Sequence, residues 1–147
     1  MKTIVVVGAL SFAVACGGGS SAPPDRLANF LGTPWNTSVT TTVNCAFLSR
    51  SENRTYSIPF ARGTDADLQY TSAEGCTYKF NVSGNTATLA NPGVSCTFSI
   101  QGVAVTANWA SYTATTSDGR TLTISTAGNG SALGQTCPFT EAGSATR

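Results

Sequence analysis

The chain of 147 residues is 41% hydrophobic yet only 10% charged, with 8 Lys plus Arg, 7 Asp plus Glu and no histidine. A formal net charge of +1 leaves no electrostatic footprint for nucleic acid or an anionic membrane surface. The lack of histidine excludes Ser-His-Asp and Cys-His catalysis and the usual zinc sites.

In chain order, Met1-Lys2 is followed by an apolar run, Thr3 to Ala15, too short to span a bilayer and of the length of a secretory signal core. It ends in Ala13-Val14-Ala15-Cys16. This ending resembles the lipobox of bacterial lipoproteins, in which the cysteine is acylated and becomes the first residue of the mature chain. Ala13 stands where leucine is usual, so plain secretion after a small-x-small site is the alternative. Gly17-Gly-Gly-Ser-Ser-Ala-Pro-Pro24 then reads as a flexible tether. The resemblance implies a signal peptide over 1–15, lipidation at Cys16, a tether over 16–25 and membrane attachment through the N-terminal lipid. Gly17 in place of aspartate is similar to outer-membrane-sorted lipoproteins.

The remaining residues, 26–147, suffice for one domain. Asp25 to Leu31 reads as one or two helical turns acting as a lid or plug, with Leu27, Phe30 and Leu31 on a common side. Asn36 to Phe47 alternates, placing Val39, Thr41, Val43, Cys45 and Phe47 on one face of a long strand. Ser49 to Arg54 reads as polar turn, Thr55 to Phe60 as a strand with Pro59 near its end, and Arg62 to Asp67 as a loop. The clearest stretch is a double hairpin. Cys76, Tyr78, Phe80 and Val82 face inward, a turn at Ser83-Gly84-Asn85 follows, Ala87 and Leu89 face inward, Asn91-Pro92-Gly93 turns again, and Val94, Cys96, Phe98 and Ile100 complete the apolar face. Val103, Val105, Ala107 and Trp109 continue the alternation. Ser117-Asp118-Gly119 is a hairpin turn that leads to inward Leu122 and Ile124. Gly128 to Gly134 reads as a loop, and Cys137-Pro138-Phe139 as a docking segment before a frayed tail.

These elements predict an all-β domain, an antiparallel up-and-down meander of about 8–9 strands rolled into a small barrel, with a two-sheet sandwich as alternative. The Gly32-x-x-Trp35 element resembles the start of lipocalin-like barrels. With Cys16 set aside, Cys45, Cys76, Cys96 and Cys137 are an even set in an exported chain and predict two disulfides. Cys76 with Cys96 and Cys45 with Cys137 is the favoured pairing, because register at the Asn-Pro-Gly corner brings Cys96 towards Cys76. Two other connectivities remain open.

No catalytic residue or cofactor is predicted. Asp65 and Asp67, with Glu74, are the one carboxylate set from which a hydrolase or a calcium site would be built. Turn chemistry is the preferred account of them, because Asp-x-Asp beside Gly63 is a common turn pattern. Trp35, Trp109, Arg54 and Arg62 are the candidate binding residues, the tryptophans also serving as barrel-end plugs. The expectation is a non-catalytic binding or surface-interaction module on a bacterial envelope, taking a small apolar ligand or a protein partner. The competing expectations are an inhibitor or adhesion module acting through residues 49–67 and, third, a carboxylate-based hydrolase.

Overall fold

The computed structural model describes residues 25–147 apart from Phe47 and Gln101; the leader, Cys16 and the tether through Pro24 lie outside it, as do the side chains of Leu48, Ile100 and Val103. Ten strands form one antiparallel sheet: β1 (Trp35–Cys45), β2 (Leu48–Ile58), β3 (Ala61–Arg62), β4 (Leu68–Thr71), β5 (Thr77–Ser83), β6 (Thr86–Leu89), β7 (Val94–Ile100), β8 (Val103–Thr115), β9 (Thr121–Ala132) and β10 (Gln135–Thr146). Their spatial order is β2-β1-β10-β9-β8-β6-β5-β4-β3. Strand β7 lies end to end with β6 along the same edge of β8, which pairs with β7 through Val103–Trp109 and with β6 through Thr113–Thr115.

The sheet curls into a half-barrel rather than a sandwich. Its two outermost strands, β2 and β3, are joined by only Pro59 and Phe60, so the chain steps from one sheet edge to the other across the seam. Proline has no N–H to give a ladder, and the edges do not pair there. Phe60 fills the gap instead, packing edge-on against Phe30, Tyr70 and Phe80 at centroid distances of 6.1, 5.8 and 5.5 Å.

This end of the half-barrel is solid. Leu27, Phe30, Trp35, Ile58, Leu68, Phe80, Leu122 and Ile124 are all buried there. Asp25 to Leu31 forms consecutive turns, with Phe30 N–H donating to the Leu27 carbonyl at 2.9 Å, and plugs the end. Trp35 Nε1 donates to the Phe30 carbonyl at 2.9 Å, so the plug and the first strand satisfy each other. The C-terminal residue completes the seal. Arg147 lies over the Trp35 ring at 4.4 Å and donates to the carbonyls of Gly119, Phe30 and Leu31.

Two expectations need correction. Residues 49–54 are not a turn but the first half of β2, paired with β1 from Cys45↔Leu48 to Trp35↔Ile58. Its inward positions are Arg50, Glu52, Arg54, Tyr56 and Ile58, an alternation hidden from a hydrophobicity reading because the first three are charged. Likewise 128–146 is neither loop nor tail. β9 runs to Ala132, turns through Leu133 and Gly134, and returns as β10, which pairs with both β9 and β1. Glycine explains why this reads as loop yet folds as strand. A Cβ on Gly143 would sit 2.2 Å from the Ser38 carbonyl oxygen, and one on Gly128 would sit 2.2 Å from that of Asn108. Close backbone approach is what these positions require.

Both disulfides take the favoured pairing. Cys45–Cys137 bridges β1 and β10 at a Cα separation of 4.7 Å, and Cys76–Cys96 joins the start of β5 to β7 at 5.8 Å. The second is possible because β6 stops at Leu89. Beyond it the Asn91 side chain stands in for a strand, accepting from Lys79 N–H at 3.0 Å and donating to the Thr77 carbonyl at 3.2 Å. The chain then drops to β7 beside Cys76.

Candidate functional site

Away from the plugged end the concave face is not filled, and side-chain size is the reason. The inward residues of β8 and β9 shrink from Tyr112, Leu122 and Ile124 to Ala107, Gly130 and Ala132. A trough of about 550 Å³ results. Phe98, Val105, Trp109 and Phe139 provide its aromatic and aliphatic surface, with the Cys45–Cys137 bridge at its far end. The inward charges of β2, Arg50, Glu52 and Arg54, form one wall.

A second space of about 260 Å³ opens from the trough and shares Arg54, Phe98, Trp109 and Glu141 with it. It is a slot between β2 and the β4–β5 corner, bordered by Tyr56, Tyr70, Tyr78 and Tyr112, with Glu74 among its lining residues. These four are all the tyrosines the chain possesses. Tyr70 and Tyr78 stack at 4.8 Å, and Tyr78 meets Trp109 edge-on at 5.2 Å. Tyr112 is 1% exposed and its hydroxyl has no hydrogen-bond partner among the described residues. The hydroxyls of Tyr56 and Tyr70 lie near it without reaching bonding geometry.

Glu141, on β10, is the buried charge of the site, its side chain 8% exposed. Thr41 Oγ1 donates to Glu141 Oε1 at 2.7 Å and Thr126 Oγ1 to Oε2 at 3.4 Å. Arg54 Nη1 stands 3.8 Å from Oε1, an ion pair too long for a hydrogen bond, with the arginine side chain 47% exposed. The carboxylate and the apolar surroundings act together on the phenols. Burial, then the charge of Glu141, pushes Tyr56 up to about 12 and Tyr78 higher still. Burial also raises Tyr70, where the neighbouring Tyr78 adds to it, and Tyr112, where Tyr70 and Tyr56 add to it. All four therefore stay protonated in ordinary buffers, as neutral hydroxyls that both donate and accept.

Of the sequence-predicted residues, Arg54 and Trp109 are brought together on this site. Trp35 is not; it is fully buried in the plugged end. Arg62 is not either, lying outside that end and paired with Asp25. The carboxylates Asp65, Asp67 and Glu74 do not converge. Asp65 pairs with Lys79 at 2.6 Å, and Asp67 takes the Val82 N–H at 2.7 Å and Arg26 at 3.1 Å, each interaction lowering the carboxyl below its usual range. Glu74 belongs to the slot. Among the described residues no three His, Cys, Asp or Glu side chains gather to hold a metal.

Two site residues escaped sequence reasoning. Glu141 falls on the inward period of Cys137, Phe139, Glu141 and Ala145, a signal readable only once that segment is taken as strand. Tyr112 is out of phase with Trp109, because a bulge between Trp109 and Ser111 shifts the register so that odd positions face inward before it and even ones after. No protein-family model matches the chain, and no curated protein matches it in sequence.

Proposed function

We propose that the chain is a non-catalytic binding module, held at a bacterial envelope through Cys16, that receives a small and largely apolar molecule in the trough of its half-barrel. The observation that carries this reading is the unfilled concave face, about 550 Å³ of space surfaced by Phe98, Val105, Trp109 and Phe139, with a few polar groups along one wall. A mostly apolar concavity with a small number of convergent polar groups is the usual form of a ligand site. The two disulfides support an oxidising compartment.

Partner recognition through residues 49–67 has less support. Much of that stretch is edge strand β2, whose inward charges Arg50, Glu52 and Arg54 discourage edge-to-edge pairing.

The test is a fluorescence titration of the purified protein with apolar probes, using the indole of Trp109 as reporter and Trp109→Phe to assign the signal. Saturable binding is expected, and Ala107→Leu, which grows into the trough, should abolish it while circular dichroism stays native. A titration without saturation, or binding indifferent to Ala107→Leu, would overturn the reading.

A further inference from the structure

The slot beside the trough has a chemistry of its own, and we propose that it takes an organic ammonium group whose apolar remainder lies in the trough. The proposal rests on the binding reading above and specifies the ligand's polar end.

Charge is the first argument. Two carboxylates, Glu141 and Glu74, and one guanidinium, Arg54, line the slot. Glu141 is the buried one, and its only ionic partner among the described residues is the loosely held, half-exposed Arg54 at 3.8 Å. A carboxylate offers about four acceptor positions, and the hydroxyls of Thr41 and Thr126 occupy two of them. An anion entering here would meet Glu141 in a poorly solvated space, where like charges repel most strongly. A cation would complete its coordination.

The hydroxyl of Tyr112 is the second argument, and it is independent of the first. It is a buried polar group, on a residue that lines this slot, with no hydrogen-bond partner among the described residues. Such a group costs stability unless a ligand or solvent satisfies it. An ammonium carries three N–H donors, enough for both a carboxylate oxygen and a phenol oxygen. Aromatic faces are the third. Tyr56, Tyr70, Tyr78 and Trp109 surround the same space, and cations are attracted to such rings. The trough that opens beside Trp109 and Phe98 is then the place for the alkyl or aryl remainder.

The test is calorimetric titration of the purified protein with four probes of one tail length: octylammonium, 1-octanol, octanoate and octyltrimethylammonium. Octylammonium is expected to bind at least about tenfold tighter than 1-octanol or octanoate, the size of one charge-assisted hydrogen bond. Glu141→Gln should remove that preference, bringing octylammonium to the affinity of 1-octanol, and Tyr112→Phe should weaken octylammonium but not octyltrimethylammonium, which has no N–H to donate. Should Glu141→Gln fail to fold, Glu74→Gln and added salt serve instead, each lowering the affinity of the two ammonium probes but not that of 1-octanol. Equal affinity for octylammonium and 1-octanol, or a preference for octanoate, would overturn the ammonium assignment and leave the trough reading standing. Saturation by none of the four would remove both.

Discussion

Raising the pH tests the buried phenol cluster directly. Each phenol's folded pKa lies above its unfolded value of about 10. The stabilising contribution is therefore whole below about pH 10 and is lost as pH climbs towards the folded values, because the unfolded chain releases protons that the native one keeps. Between pH 10 and the folded value, each phenol costs about 1.4 kcal/mol per pH unit. Tyr56, pushed to about 12, still lies about a full unit above pH 11, and the other three are raised as well. At pH 11 Tyr56 alone removes about 1.4 kcal/mol, and the other three phenols lower stability in the same direction, against a total of only about 5–15 kcal/mol for a small domain. Stepwise alkaline titration, following tyrosinate absorbance and near-ultraviolet circular dichroism together, should show one cooperative event in which ionisation and loss of tertiary signal coincide. Tyr112→Phe removes one of the four phenols, and the alkaline limb should become shallower. Two or more phenols ionising near pH 10 with the tertiary signal intact would refute the buried cluster.

Three further perturbations probe other parts of the fold. Replacing Cys45 and Cys137 with alanine opens a 92-residue separation and should cost about 4.6 kcal/mol in urea unfolding, against about 3.3 for the 20-residue separation of Cys76 and Cys96; a reversed order would count against the loop-closure account. Gly143→Ala drives a Cβ to 2.2 Å from the Ser38 carbonyl and 2.6 Å from Val39 Cα, both backbone atoms, so it should lower stability by about 2–3 kcal/mol and lower the thermal midpoint. Leu133 sits at the β9–β10 tip with φ of 50° and 87% exposure, a conformation that suits asparagine better; Leu133→Asn should raise stability by up to about 1 kcal/mol in the same denaturation assay.

Much of the architecture was legible in the residues. Alternation of apolar and polar side chains marked Cys76 to Val82 and the hairpins after it, and Ser117-Asp118-Gly119 marked the β8–β9 turn. There the Asp118 carboxylate accepts from the Thr121 and Arg120 N–H groups, each at 2.8 Å, which holds it below the usual range. The same alternation, applied to hydrophobicity alone, missed the first half of β2 and all of β10. The inward positions of β2 hold Arg50, Glu52 and Arg54, exposed charges that border the trough instead of packed core, and β10 holds Glu141, buried but hydrogen-bonded by Thr41 and Thr126.

Local chemistry by itself therefore determined that this chain is an antiparallel β domain with two disulfides, because strand period, turn residues and cysteine parity each act over a few neighbours. Which of the two tryptophans faces a cavity and where Glu141 meets the tyrosines were decided by the curl of the whole sheet. That curl depends on strands far apart in sequence, on a one-residue bulge before Tyr112 and on small residues at Ala107 and Gly130. Each of these acts by where it leaves space or shifts a face, and space between distant strands is a property no short window of sequence contains.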